Sequence, residues 1–241
     1  MADGGLASFA EAGEDRSVRE VRDLMVTSQW GEFVEWGDAA PAFAGGVDAV
    51  AADRRSPDEF WFFKGDQVMK ADIVTRQVVE PARSIAEKWP LVTADYAGDI
   101  CAAFMPPGAI APILALVKPS GDAGFLDLDG ALEFQIATVW DQIGAAAPAG
   151  FTGIDAAMPD PADDGHLYLF SGKQSLRCNL MAGTVEAPTA TADRWTGVRA
   201  TGPGERVDAA LSRPDDTVVH LLHGDTYISL DLATQTCRAT S

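Results

Sequence analysis

The sequence predicts an all-β chain with short helices, folded as a four-bladed β-propeller whose ring closes by joining the N- and C-terminal segments in one blade. Three observations carry this expectation. First, a short phrase recurs as Val47-Asp48-Ala49-Val50, Ile100-Cys101-Ala102-Ala103, Ile154-Asp155-Ala156-Ala157 and Val207-Asp208-Ala209-Ala210, at spacings of 53, 54 and 53 residues. Second, each phrase leads through a turn rich in Pro, Asp and Gly into an aromatic or β-branched run, the composition of a strand. Third, the chain ends 33 residues after Asp208, 20 short of a full unit, and the 20 residues from Ser28 to Asp48 supply that deficit. Closing the ring leaves no exposed sheet edge at the seam.

The elements follow in chain order. Residues 1–27 lie outside the repeat, with Val18, Val21, Leu24 and Met25 at helical spacing. This extension reads as an amphipathic helix for the ring or for a partner, including a homodimer. The propeller spans 28–241, with blades at about 46–92, 99–144, 153–197 and 206–241, the last completed by 28–44. The apolar runs 60–63, 113–118, 167–170 and 219–222 read as strands, followed by shorter ones at 68–72, 125–129, 175–179 and 227–231. Helix-like stretches ending in tryptophan close three units at 84–89, 134–140 and 190–195. Trp36 precedes Asp48 by the same 12 residues that separate Trp89 from Cys101, so 28–44 carries the end of unit four. The alternating aromatics Trp61, Phe63, Tyr168 and Phe170 are expected to pack blade against blade, because both faces of a sheet must be buried.

Composition narrows the function. The 241 residues are 47% apolar with a net charge of −18, which fits a globular chain with a sizeable core. Such a field repels phosphate backbones and excludes nucleic acid as a natural partner; cations, polyamines or basic proteins suit it. No apolar run has the length of a membrane helix, and the first residues lack a secretory pattern. Three cysteines without close spacing (Cys101, Cys178 and Cys237) read as reduced thiols of a cytoplasmic protein.

The Val/Ile-Asp-Ala-Ala phrase, the aromatic strand, Phe63-Lys64-Gly65-Asp66-Gln67 and the helix ending Trp89-Pro90 resemble the hemopexin repeat. Units three and four match it through Gln174 and Asp225, while unit two is degenerate, with Pro119 in place of the turn glycine. The resemblance implies a disc with a narrow tunnel in which backbone carbonyls hold calcium or sodium. By position, these would be the carbonyls of Asp48, Cys101, Asp155 and Asp208. Val50, Ala103, Ala157 and Ala210, two residues further along each strand, would form a second ring. Alternatively, the three carboxylates bond neighbouring backbone groups and hold the blades in register. Many secreted members join first and last blades by a disulfide; only Cys237 has a candidate position here, so closure should be noncovalent. Haem is not inferred, because its site in hemopexin lies between two propellers.

No other residue set makes an active site. His220 and His223 stand three apart on a predicted strand and so face opposite ways; by alignment, the first is a packing position and the second a solvated turn. His166 is expected in a loop before its strand. Cys101 reads as a small buried residue whose thiol pKa is raised by nearby carboxylates; copper or zinc is the alternative reading. Two function classes follow. One is a noncatalytic module with a cation in the tunnel and a small cationic or planar ligand at its mouth. The other is an enzyme of small-molecule biosynthesis using that mouth as a pocket, kept open by Cys101 and by a disordered-looking Ala/Pro insert at 106–112.

Overall fold

The computed structural model describes residues 28–29, 41–43, 46–195, 198, 205–213, 217–224, 226–234 and 236–238. Ser28–Gln29 is β1. Blade I is a sheet in the order β2 (Ala49–Ala52), β3 (Glu59–Lys64), β4 (Gln67–Asp72) and β5 (Gln77–Ser84). Blade II repeats it with β6 (Ala102–Phe104), β7 (Ile113–Val117), β8 (Asp122–Asp127) and β9 (Gln135–Thr138). In blade III, β10 (Ala156–Pro159), β11 (His166–Ser171) and β12 (Gln174–Asn179) are followed by two short pieces, β13 (Thr184–Val185) and β14 (Thr189–Ala190), both paired with β12. Blade IV is β15 (Ala209–Ser212), β16 (Val218–His223), β17 (Thr226–Asp231) and β18 (Thr236–Arg238), with β1 alongside β17.

The seam closes as expected. Ser28 stands opposite Tyr227 and Gln29 opposite Thr226, while β18 pairs the other half of β17. Blade III divides its outer strand in the same way, β14 facing Gln174 and Ser175 and β13 facing Cys178 and Asn179. The N-terminal segment therefore takes the place in blade IV that β14 takes in blade III.

Packing explains why the four sheets form a ring. Successive residues of a strand point to opposite faces, and each inner strand feeds two different clusters. Ala49 joins the core between blades I and II, whereas Val50 joins the one between IV and I. The pairs Ala102–Ala103, Ala156–Ala157 and Ala209–Ala210 split likewise, giving four buried clusters at four blade interfaces. Small residues are needed here because inner strands of neighbouring blades converge. The aromatics fill the outer part of the wedges. Trp61 and Phe63 lie between I and II with Trp89 edge-on to Trp61 at 5.2 Å, and Tyr168 and Phe170 lie between III and IV with Trp195.

Short helices close three blades: α1 (Ile85–Lys88), α2 (Val139–Ile143) and α3 (Thr191–Arg194). Ser84 and Glu87 form a capping box at α1, and Thr138 and Asp141 form another at α2. Trp89 and Trp195 follow their helices as expected, but Trp140 lies inside α2, and 135–138 is strand rather than helix. The preceding strand is also earlier than its sequence suggests, at 122–127 instead of 125–129. The reason is local: Asp127, not Asp129, accepts the turn amides of Asp129, Ala131 and Leu132, matching Asp72, Asn179 and Asp231 in the other blades. β5 escaped the sequence pattern because its exposure alternates and it contains Pro81, an edge-strand feature. His166 opens β11 rather than preceding it, and the 106–112 insert is an ordered turn, with the Ala109 amide on the Pro106 carbonyl. Trp36 and the proposed 1–27 helix lie outside the described residues.

Blade II has one further peculiarity. Gly124 of β8 is covered by Phe134, and a Cβ there would lie 2.1 Å from the ring's Cζ. Gly124→Ala should force the ring off the strand and cost about 1–3 kcal/mol by denaturant unfolding. In a Phe134→Ala background the same change should cost under roughly 0.5 kcal/mol, since the clash is gone.

Candidate functional site

At one end of the inner strands the four recurring residues come together. Asp48, Cys101, Asp155 and Asp208 line a cavity of about 410 Å³ with Lys64, Asp99, Pro119 and Arg206 on its rim. Each sits one residue before its strand, at a β-bulge. The Asp48 amide donates to the Phe63 carbonyl at 2.8 Å, although the ladder pairs Phe63 with Ala49. Cys101, Asp155 and Asp208 repeat this on Val117, Phe170 and Leu222, with Ala102, Ala156 and Ala209 as the ladder partners. Two residues thus oppose one, and the extra residue, although its amide is bonded, stands outside the regular register of the ladder. Val50, Ala103, Ala157 and Ala210 follow two residues deeper, with side chains buried between blades.

The aspartates have a clear structural task. Asp48, Asp155 and Asp208 accept the amides of Gly65, Gly172 and Gly224 at 2.8, 2.6 and 2.8 Å. Those glycines have φ of 57°, 53° and 58° in the hairpin turn, a left-handed conformation that suits glycine. The second oxygens take cations: Lys64 lies 2.6 Å from Asp48, and Arg206 bridges Asp155 and Asp208 at 3.2 and 3.0 Å, across blades III and IV. His223 lies 3.1 Å from Asp208.

In blade II both partners of this device change together. Pro119 holds the turn-glycine position and has no N–H to donate, so a carboxylate at 101 would have lost its partner. Cys101 donates its thiol instead to the Ile154 carbonyl at 2.8 Å and the Val117 carbonyl at 3.4 Å, tying blade II to blade III. Burial, then the charge of Asp155, pushes this thiol up to about 12. The Cys178 thiol is likewise raised by burial, and all three cysteines are free. Among the described residues, no three His, Cys, Asp or Glu side chains converge on a metal position. His220 packs edge-on to Tyr227 and meets Ser229 Oγ at 2.9 Å, the packing role expected.

A second cavity, of about 270 Å³, opens at the other end of the strands and was not anticipated. Its floor is Ala52, Met105, Pro159 and Ser212, and Arg54 and Arg213 stand over it. All four floor residues lie four positions after the recurring ring, so the repeat spacing would have found them. Behind Arg54, fully buried Asp53 accepts Arg55 at 2.9 and 2.7 Å and Lys70 at 2.9 Å, and Lys70 also meets Glu59. Burial alone would raise the Asp53 carboxyl, but these hydrogen bonds outweigh it and hold it well below the usual carboxylate range. Asp160 and Arg177 repeat this pair in blade III at 2.8 Å.

Comparison with known proteins agrees with the fold. The Hemopexin family model matches residues 47–91, which is blade I with its helix. A hemopexin fold protein, CP4, from cow pea superposes with a TM-score of 0.64 at 17% identity, covering 77% of this chain and 85% of that one. A plant lectin with two metal binding sites from Cicer arietinum gives 0.65 at 16% identity, covering 78% and 87%. LS24, a seed albumin from Lathyrus sativus, gives 0.63 at 17%, covering 77% and 85%. Curated proteins yield no match. The chain carries a hemopexin repeat and the four-bladed hemopexin fold, and at these identities the structural likeness concerns the fold alone.

Two tests follow. With a thiol near 12 instead of 9.0, native Cys101 should react with iodoacetamide at pH 8 roughly a thousandfold more slowly than in the unfolded chain. Peptide mapping of alkylated protein checks this, and rapid native labelling would contradict it. Asp53→Asn leaves buried Lys70 short of a partner and should cost about 3 kcal/mol at pH 7. Because the folded carboxyl lies below its ordinary 3.8, the stabilisation is present above that value and lost as pH falls towards the folded one. The gap between wild type and variant should therefore narrow below about pH 4.

Proposed function

We propose that this propeller is a binding module that holds a cation, calcium or sodium, at the Asp48 mouth, beneath a cavity for a small cationic or planar ligand. The observation that carries this reading is the fourfold bulge. It places Asp48, Cys101, Asp155 and Asp208 outside the regular register at one mouth, each amide sharing the carbonyl opposite the next residue, and a carbonyl displaced from the ladder by a bulge is satisfied by another partner. Hard cations take oxygen ligands of this kind. The carboxylates are already engaged by turn amides, so coordination falls to the main chain. Val50, Ala103, Ala157 and Ala210, two residues further along the same inner strands, would offer the second ring by strand alternation, although they are paired in the ladder. Cys101 fits a backbone role, because its thiol faces two carbonyls and its high pKa disfavours a copper or zinc thiolate. The lectin similar in fold is described as having two metal binding sites, which is consistent with this reading.

After chelation and dialysis, added calcium should raise the melting temperature. At a hundredfold excess over the dissociation constant the gain is about 2.7 kcal/mol, or roughly 5–10 °C at this size. Cys101→Ala should keep that response. Loss of the response in this variant would move the site to the thiol, and no response to calcium or sodium in the wild type would overturn the cation reading.

A further inference from the structure

Among the described residues, the outer sheet edge of blade II is unlike those of its neighbours. β9 (Gln135–Thr138) is the outermost strand of its sheet and carries neither charge nor proline. β5, the outer strand of blade I, contains Glu80, Pro81 and Arg83 and has irregular register against β4. Blades III and IV break their outer strands into pieces of two or three residues. Charges, prolines, irregularities and short pieces are the means by which edges are kept from pairing with other chains, and β9 has just its shortness.

An apolar groove of about 290 Å³ runs beside this edge, lined by Ile113, Phe125, Leu132, Ile136 and Ala137, with Glu133 on its border. Ile136 and Leu132 are 58% and 52% exposed, and Ile110 on the adjoining turn is fully exposed. Charge distinguishes between occupants. From Pro119 to Gly172 the chain contains no Lys or Arg, while Asp122, Asp129, Glu133 and Asp141 are exposed. A second copy would bring the same acidic surface against itself, with −18 on each chain. An extended basic segment meets both features.

We infer that β9 is a docking edge for a partner protein's extended segment of alternating apolar and basic residues. The segment adds as a fifth strand of blade II. Its main chain pairs with Gln135–Thr138, one row of side chains enters the groove, and its Lys or Arg residues meet Glu133 and the surrounding carboxylates. This is independent of the cation at the tunnel mouth.

A fluorescein-labelled decapeptide of alternating Lys and Val serves as the probe. Its binding to the full chain is read by anisotropy at low and physiological salt. The same composition with the five lysines grouped at one end, and an alternating Glu–Val peptide, are the controls. The alternating Lys peptide should bind at least tenfold more tightly than either, and Ile136→Lys should weaken it at least tenfold with the melting temperature unchanged. Amide exchange should slow at 135–138 on peptide addition, which tests the site without any substitution. Equal binding of the grouped peptide would reduce the effect to charge and overturn strand addition. Unchanged exchange at 135–138 would overturn the site. A dimer by light scattering that Ile136→Lys converts to monomer would overturn the basic partner in favour of a second copy.

Discussion

A four-stranded sheet has two faces, and each blade of this chain hides both. Ala49 and Val50 are neighbours on one strand yet belong to different cores, and the same split occurs at Ala102, Ala156 and Ala209. Burial of apolar side chains on both faces is the dominant favourable term, and a sheet can satisfy it here by having a blade on each side. Four blades meet this condition only when the last packs against the first. The cluster that joins Phe60, Phe62 and Met69 to Leu211, Leu222 and Tyr227 is that closing contact, reinforced by β1 on β17. Both faces of every inner strand are thereby committed to the wedges between blades.

That arrangement accounts for the chemistry available at the two ends. At the Asp48 mouth, polar side chains serve first to hold hairpin turns and to bind blades together, as Arg206 does between Asp155 and Asp208. At the opposite mouth the strands end in Ala52, Met105, Pro159 and Ser212, and the rim carries Arg54 and Arg213 together with Asp160 and Asp164. Both ends mix carboxylates with basic groups, and the recurring aspartates of the repeat stand at the Asp48 mouth.

Blade II departs from its neighbours in a coordinated way. Pro119 removes a donor, Cys101 removes the matching acceptor, and the thiol finds carbonyls on its own blade and the next. Gly124 makes room for Phe134, which packs against Tyr96 at 5.4 Å. Its outer strand lacks the charge and proline seen in β5. A blade relieved of the usual repeat restraints is where a surface for another molecule can arise without disturbing the ring.

The recurrence of the Val/Ile-Asp-Ala-Ala phrase at an even period sufficed to determine the blade count, the closure and the first three strands of each blade, because a repeat unit that cannot bury its own faces must stack on copies of itself. It also brought Asp48, Cys101, Asp155 and Asp208 to one place, since equivalent positions in a ring of repeats share one height along the axis. Three things depended on the tertiary structure. The end of β8 was set by which aspartate caps the turn, and Asp127 and Asp129 are indistinguishable as letters. The partnership of Cys101 with Pro119 spans a hairpin, so neither substitution explains the other until the turn is built. The arginine-bearing mouth and the open edge of β9 are defined by what lies beside them in space: Ala52, Met105, Pro159 and Ser212 share the repeat spacing but no residue type, and Ile113 and Ile136 carry no pattern along the chain that marks a site.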